Sequence, residues 1–252
     1  MAMIGIIGGS GLDDPDILDA PRDRAVDTAW GAPSAALRLG TIAGIEVALL
    51  GRHGRGHTIP PTQVNYRANI QALKDAGCAC ILATSAVGSL RQEIGRGDLV
   101  ILDQFIDFTK LRAATFHERF EPNQPVHTPM ADPFDPALRD ILIQVCRRKG
   151  LAFHPKGTVV TIEGPRFSTR AESRMFRSWG ADIINMSIAT EAALAREAGI
   201  PYAAIAMSTD YDSWKDDEEA VSWEAILAVF TGNADRVTSV LVEAIPLVAH
   251  LG

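Results

Sequence analysis

The sequence is poor in cysteine and has no excess of positive charge, and each shortage excludes a class of protein. Cys78, Cys80 and Cys146 are the only three cysteines in 252 residues, an odd count too sparse for a disulfide framework. Cys78-Ala79-Cys80 is a C-x-C, without the C-x-x-C spacing of redox or zinc sites and with no second pair nearby. Lysine and arginine number 24 against 31 acidic residues, a formal net charge of −7. A general nucleic-acid or anionic-membrane binder needs a basic face, which this balance argues against. A small anionic ligand stays open, because a few placed Arg and His make a local positive pocket. No apolar window approaches the roughly 20 residues of a membrane span. Met1-Ala2-Met3-Ile4-Gly5 lacks the basic start and apolar stretch of a secretory signal, so a reduced, cytoplasmic location is expected. Low-complexity linkers, internal repeats and charge blocks are absent too, and residues 1–252 are expected to form one domain.

What is present is an alternation. With 47% hydrophobic and 22% charged residues, the chain has ordinary globular composition. Short apolar runs read as buried strands at Met3 to Ile7, Ile45 to Leu50, Cys80 to Thr84, Leu99 to Leu102, Thr158 to Ile162, Ile183 to Met186 and Ala203 to Met207. Helical stretches lie between them. Asn65 is placed to cap Tyr66 to Ala76, with Gly77 as the stop. Thr169 to Trp179, Thr190 to Ala198 and a long terminal helix from Ser222 to about Ala249, with Gly232 or Pro246 as possible breaks, follow. This predicts an α/β fold: one domain with a central mixed β-sheet flanked by helices. Ligands of such folds bind outside the carboxyl ends of strands.

Four strand ends carry useful chemistry. Gly8-Gly9-Ser10-Gly11 offers backbone N–H groups and a hydroxyl to an oxyanion. It does not fit G-x-G-x-x-G, since Asp14 falls where the third glycine belongs. Gly51-Arg52-His53-Gly54-Arg55-Gly56-His57 puts a guanidinium fork and a ring N–H donor after a strand. The spacing of His53 and His57 would suit a metal only on a helix, which Gly54 and Gly56 disfavour. Thr84-Ser85-Ala86-Val87-Gly88-Ser89 is small and hydroxyl-rich, either a ligand turn or a locally satisfied one. Asp210 and Asp212 follow an apolar run and share one side if extended; sharing a pocket raises one carboxyl's pKa. Downstream, Asp216-Asp217-Glu218-Glu219 reads as a solvated stretch. Phe167, in the loop after Glu163-Gly164-Pro165-Arg166, is either a core plug or a face for a flat ligand.

Together these segments resemble the purine nucleoside phosphorylase family, trimeric type, and within it the branch that cleaves 5′-methylthioadenosine. The resemblance runs from Ile4 to about Pro246. It rests on Gly51-Arg52-His53-Gly54-Arg55, Val64-Asn65-Tyr66-Arg67-Ala68-Asn69-Ile70, Asp103-Gln104-Phe105-Ile106-Asp107, Thr161-Ile162-Glu163-Gly164-Pro165-Arg166-Phe167, Trp179-Gly180-Ala181-Asp182-Ile183-Ile184-Asn185-Met186 and Ala206-Met207-Ser208-Thr209-Asp210-Tyr211-Asp212. It implies a phosphate site of Ser10, Arg52, His53, Ser85, Ala86 and Ser187. It implies that Met186 lies against the ribose, Phe167 packs on the purine with Ser168 nearby, and Asp210 and Asp212 face the base edge. His127 would reach the 5′ pocket of a neighbour in a homotrimer, and no metal or organic cofactor would be needed, phosphate being a co-substrate.

The implied reaction is phosphorolysis of 5′-methylthioadenosine to adenine and 5-methylthioribose 1-phosphate, with Asp210, Asp212 and His53 as its catalytic groups. Positive charge grows on the sugar and negative charge on the base, so a neutral Asp210 helps the purine leave. A 6-amino group donates hydrogen bonds, so the acid pair favours adenine over 6-oxopurines, for which relatives carry Asn. Ser10, Ser85 and Ser187 stand where close relatives often have Thr, and Thr190 precedes Glu191 where they usually have Pro. Trp223 replaces a smaller aliphatic residue at the 5′ pocket, and the chain stops at Gly252, short of the tail of some relatives. Both leave the 5′ substituent open. Rival readings are a phosphorylase acting on adenosine, methylthioinosine, inosine or guanosine, a nucleosidase using water, a non-catalytic purine binder, and a Rossmann dehydrogenase.

Overall fold

The computed structural model describes residues 3–9, 16–217 and 222–251. Its strands are β1 (Met3–Gly8), β2 (Asp19–Arg24), β3 (Leu37–Ile42), β4 (Ile45–Gly51), β5 (Cys78–Ser89), β6 (Leu99–Ile101), β7 (Gln104–Phe108), β8 (Phe153–His154), β9 (Thr158–Ile162), β10 (Ile183–Asn185) and β11 (Tyr202–Asp210). Its α-helices are α1 (Tyr66–Asp75), α2 (Pro136–Arg148), α3 (Arg170–Ser178), α4 (Ile188–Glu197) and α5 (Trp223–Val248). All eleven strands join one mixed sheet in the order β2-β3-β4-β1-β5-β10-β9-β7, with β11, β6 and β8 branching from β5.

The apolar runs lie where burial on both faces requires them. β4, β1, β5 and β11 pair in parallel at the centre. Along β11, Ala203, Ile205 and Met207 pack toward α2 and α5, with Leu142, Phe230 and Leu241. Ala204 and Ala206 face the opposite layer, with Ile70 and Leu73 of α1 and Ile188 and Leu194 of α4. This is the period-two alternation of a strand between two helical layers. Each fully buried Leu or Ile there contributes roughly 1.5–3 kcal/mol. The Asn65 side chain caps α1, accepting from the Ala68 N–H at 3.1 Å.

β5 decides where a ligand can enter. On one side it runs beside β11 from Ile81 to Gly88. On the other it pairs with β1 from Cys78 to Ala83, then with β10 at Gly88 and Ser89. Between Ala83 and Gly88 that second side has no strand partner among the described residues. A seam of this kind, where a strand exchanges neighbours, is where α/β sheets hold ligands.

Several boundaries differ from the expectations. β5 continues through Ser85 and Ala86, so these belong to a strand and not to a turn after one. β11 continues to Asp210 because Ser208 and Thr209 are buried like their apolar neighbours. α4 begins at Ile188, two residues before Thr190, and α5 passes Gly232 and Pro246 unbroken. β2, β3, β7, β8 and α2 had not been read from the sequence. By length and composition α5 is apolar enough to cross a membrane, against the reading of no such window. One face of it, with Phe230, Val237, Val240, Leu241 and Ile245, packs into the core, while Trp223, Leu227 and Val242 are exposed.

Candidate active site

A cavity of about 300 Å³ opens at the seam of β5. The ends of β4, β5, β10 and β11 bring Arg52, His53, Ser85, Ala86, Met186, Ser187 and Asp210 to its wall. Phe167 and Ser168 enter from the loop before α3, Asp212 from the turn after β11, and Trp223 from the start of α5. These are eleven of the predicted site residues, gathered from six separate segments. Ser10 lies outside the described residues. His127 is exposed, its ring edge-on to Phe120 at 5.7 Å, and it does not line this chain's cavity.

One end is fitted for an oxyanion. The Ile81 N–H donates to the Pro201 carbonyl on the β11 side. Strand alternation therefore turns the Ala86 N–H to the opposite side, into the seam. Ser85 Oγ donates to the Ala86 carbonyl at 3.0 Å and accepts from Asn185 Nδ2 at 3.1 Å. Ser187 is the N-cap of α4, and its hydroxyl makes no capping bond. Gly9 closes against the same place: a Cβ there would lie 2.6 Å from both Arg52 Nη1 and the Thr84 carbonyl oxygen.

Arg52 departs from the simple picture of an open fork. Its guanidinium is buried, and it donates through Nε and Nη2 to Glu191 at 2.5 and 2.8 Å. Nη1 donates to the Thr84 carbonyl at 2.8 Å. Glu191 also accepts from the Tyr202 hydroxyl at 2.8 Å. At least three of the five guanidinium N–H groups are thus engaged within the protein. Desolvation works against the cation, but Glu191 outweighs it and raises the pKa above its ordinary value.

His53 departs as well. Its Nδ1 lies 2.9 Å from the Ile59 carbonyl oxygen, which can only accept. The ring N–H is spent there, so in the neutral ring of this cavity-lining residue Nε2 carries a lone pair and not the expected donor. Burial, then neighbouring Arg52, pushes the imidazole pKa down to about 3. His57 stacks on His53 at 4.3 Å and on Trp223 at 5.0 Å, forming a flat wall near the start of α5.

Beside Gly88 the cavity wall is acidic. Asp210 accepts from the Asp212 backbone N–H at 2.8 Å and the Thr209 hydroxyl at 2.9 Å. Burial outweighs those bonds and raises its pKa to about 6. Asp212 is not in the extended geometry expected of the pair. Its φ is +46°, and its Oδ2 accepts from Ser168 Oγ at 2.5 Å. Both carboxylates still reach the cavity, and Phe167 and Met186 line it too, which favours the ligand-facing reading of Phe167 over a core plug.

Three supporting residues had not been singled out. Glu191 is the one charged residue in the buried run Ile188 to Ala195, a pattern that signals a buried partner. Tyr66 Oη bridges the carbonyls of Pro61 and Met186 at 3.1 and 3.3 Å. Arg112 donates to Tyr66 Oη at 3.0 Å and to the Glu163 carbonyl at 2.9 Å, tying the Phe167 loop to the Met186 segment. Arg112 sits in an irregular stretch with no periodicity, so nothing in the sequence marked it. No group of three or more His, Cys, Asp or Glu side chains able to hold a metal occurs among the described residues.

A sequence model of the phosphorylase superfamily matches residues 3–246. S-methyl-5′-thioadenosine phosphorylase of Xenopus tropicalis is 56% identical over 251 residues, covering 98% of this chain and 89% of the relative. The enzyme of that name from Danio rerio is 54% identical with the same coverage. Methylthioadenosine phosphorylase from Schistosoma mansoni, solved with adenine, superposes with a TM-score of 0.94 at 43% identity, covering 99% and 93% of the two chains. A variant of the adenosine/methylthioadenosine phosphorylase from that organism, solved with methylthioadenosine, gives 0.93 at 42% identity and covers 99% and 92%.

Proposed function

The chain belongs to the phosphorylase superfamily, and on that premise we propose that its cavity carries out phosphorolysis of 5′-methylthioadenosine, releasing adenine and 5-methylthioribose 1-phosphate. The observation that carries the reading is the polarity of the cavity: an oxyanion end at the β5 seam, an acidic end at Asp210 and Asp212, and Met186 and Phe167 also on its wall. A nucleoside laid between them has phosphate on one side of C1′ and its base against the acids.

Arg52, the Ala86 N–H, Ser85, Ser187 and His53 hold the phosphate, and Ser10 belongs to the same set. Met186 lies along the ribose, and Phe167 packs on the purine. As the glycosidic bond stretches, the sugar becomes cationic and phosphate captures it. Asp210, whose pKa is raised to about 6, hands a proton or a hydrogen bond to N7 of the departing base. Asp212, fixed by Ser168, accepts from the 6-amino group. Trp223 and His57 wall the 5′ substituent. The reading calls for no metal or organic cofactor. His127, exposed on an irregular segment with Phe120 and Val126, completes the 5′ pocket of a neighbour in a homotrimer. Three free, buried cysteines accord with a reducing, cytoplasmic location.

The test is adenine release from 5′-methylthioadenosine with and without phosphate, beside adenosine and inosine. Strict phosphate dependence and preference for the 6-aminopurines are expected. Turnover in water alone, or preference for inosine, would sink the reading.

A further inference from the structure

We infer that the oxyanion subsite selects an anion that carries its own proton, with His53 Nε2 as the acceptor of that proton and Glu191 as the residue that denies the subsite a net positive charge. The inference rests on the reading of this cavity as a phosphorolysis site and goes beyond it.

Three observations carry it. First, the tautomer of His53 is fixed by its own loop. The ring Nδ1 faces the Ile59 carbonyl at 2.9 Å, and the Ile59 N–H returns a bond to the His53 carbonyl at 2.9 Å. A carbonyl cannot donate, so Nδ1 holds the proton and Nε2 presents a lone pair. Second, the charged or titratable groups whose charge reaches the ring are Arg52, His57 and Arg112, and each opposes a second proton, as burial does. Third, Arg52, the buried cation that lines the cavity, is already matched. Glu191 takes Arg52 in two bonds of 2.5 and 2.8 Å, both side chains 1% exposed or less. The subsite therefore binds by directed hydrogen bonds and not by excess charge.

An oxyanion without a proton meets Nε2 lone pair to lone pair. It must recruit a proton onto a ring that resists one, or leave a buried acceptor unpaired. Hydrogen phosphate supplies the proton itself. Sulfate is the clean comparison, because at pH 8 both ions are tetrahedral dianions and only phosphate retains an O–H.

The experiment is steady-state phosphorolysis of 5′-methylthioadenosine at pH 8, with inorganic phosphate as substrate and sulfate as competitor. The sulfate inhibition constant should exceed the phosphate KM by about thirtyfold or more, as unpaired buried groups discriminate. Between pH 7.5 and 9 sulfate binding should weaken about tenfold per pH unit, one proton being taken up, while phosphate stays flat. Sulfate within about threefold of phosphate and independent of pH would overturn the inference, whatever the fate of any variant. In His53→Gln the side-chain amide donates as readily as it accepts, so the discrimination should shrink to a few-fold. Undiminished discrimination in a folded His53→Gln protein overturns the role of His53. Adenine release that needs no phosphate is a separate outcome, since it overturns the underlying reading of the site.

Discussion

The Asp212 backbone N–H donates to Asp210 Oδ1 at 2.8 Å, and the two neighbouring acids it links are held in different ways. Asp210 ends a fully buried strand, so desolvation dominates and raises its carboxyl to about 6. Asp212 has turned into a left-handed conformation and is held through its far oxygen by Ser168. One acid is thereby poised near neutrality, and the other is fixed by a short bond from a neighbouring hydroxyl.

Asp210→Asn should lower kcat for 5′-methylthioadenosine by about a hundredfold or more, the usual scale of a lost general acid. In the wild type, kcat/KM should fall as pH rises above about 6, where Asp210 of the free enzyme ionises. Stability carries the same sign. A raised carboxyl favours folding below its unfolded value of 3.8, and that advantage is lost as pH rises through about 6. At pH 8 the Asn variant should therefore be the more stable by on the order of 2–3 kcal/mol. Urea midpoints at pH 8 that coincide for the two proteins would refute this.

Glu191→Gln should cost about 3–5 kcal/mol of unfolding free energy, because it strands Arg52 as an uncompensated buried cation. The phosphate KM should rise as the guanidinium loses its orientation. Arg148 and Glu243 form the contrast, an ion pair on the surface. Glu243→Gln should cost less than about 1 kcal/mol and leave both KM values unchanged. Denaturant curves for the two variants decide this; equal losses would show that burial is not what matters.

Gly164→Ala should be damaging for two reasons. Its φ of +67° is left-handed, and a Cβ there would run into Sδ of Met186. The expected cost is about 1–3 kcal/mol, with a raised nucleoside KM and an unaltered phosphate KM. Gly199→Ala is the control, since Gly199 has φ +72° but open space around it. It should lose stability with no change in either KM. A rise in phosphate KM for Gly164→Ala would contradict the division of the cavity.

Trp223→Val should widen the 5′ wall that Trp223 makes with His57. Longer 5′-alkylthio substituents should gain about tenfold in kcat/KM relative to methylthio, the scale of one or two methylenes in an apolar pocket. An unchanged ratio across methylthio, propylthio and butylthio substrates would remove Trp223 from the specificity wall.

Much of this was legible in the chain. The apolar runs of β1, β4, β9 and β11 declared themselves because strands buried on both faces must be apolar almost throughout. Asn65, Gly77 and Thr169 marked helix ends by local hydrogen bonding and backbone freedom alone. Arg52, His53, Asp210 and Asp212 stood out as polar groups directly after such runs. What was not legible depended on tertiary partners. β2 is exposed along its whole length and carries a proline, so it has no strand pattern to read. The tautomer of His53 depends on the Ile59 carbonyl, and the neutralisation of Arg52 on a glutamate 139 positions away. Ser85 and Ala86 looked like a turn because small residues are ambiguous; only β11 alongside makes them strand.

The exchange of neighbours along β5 has a consequence for the folded state itself. Of the four residues between the two pairings, Thr84 and Ala86 turn their backbone groups into a seam that no strand fills among the described residues, so the sheet is unfinished there. An anion seated against the Ala86 N–H acts as the missing rung. Phosphate should then be a structural component as much as a reactant, raising the melting temperature with its concentration as any ligand of the native state does. Amide exchange at Ala86 should slow when phosphate is added, while Ile81, already bonded to Pro201, should not respond. Turnover would in this sense consume part of the sheet at each cycle and replace it at the next.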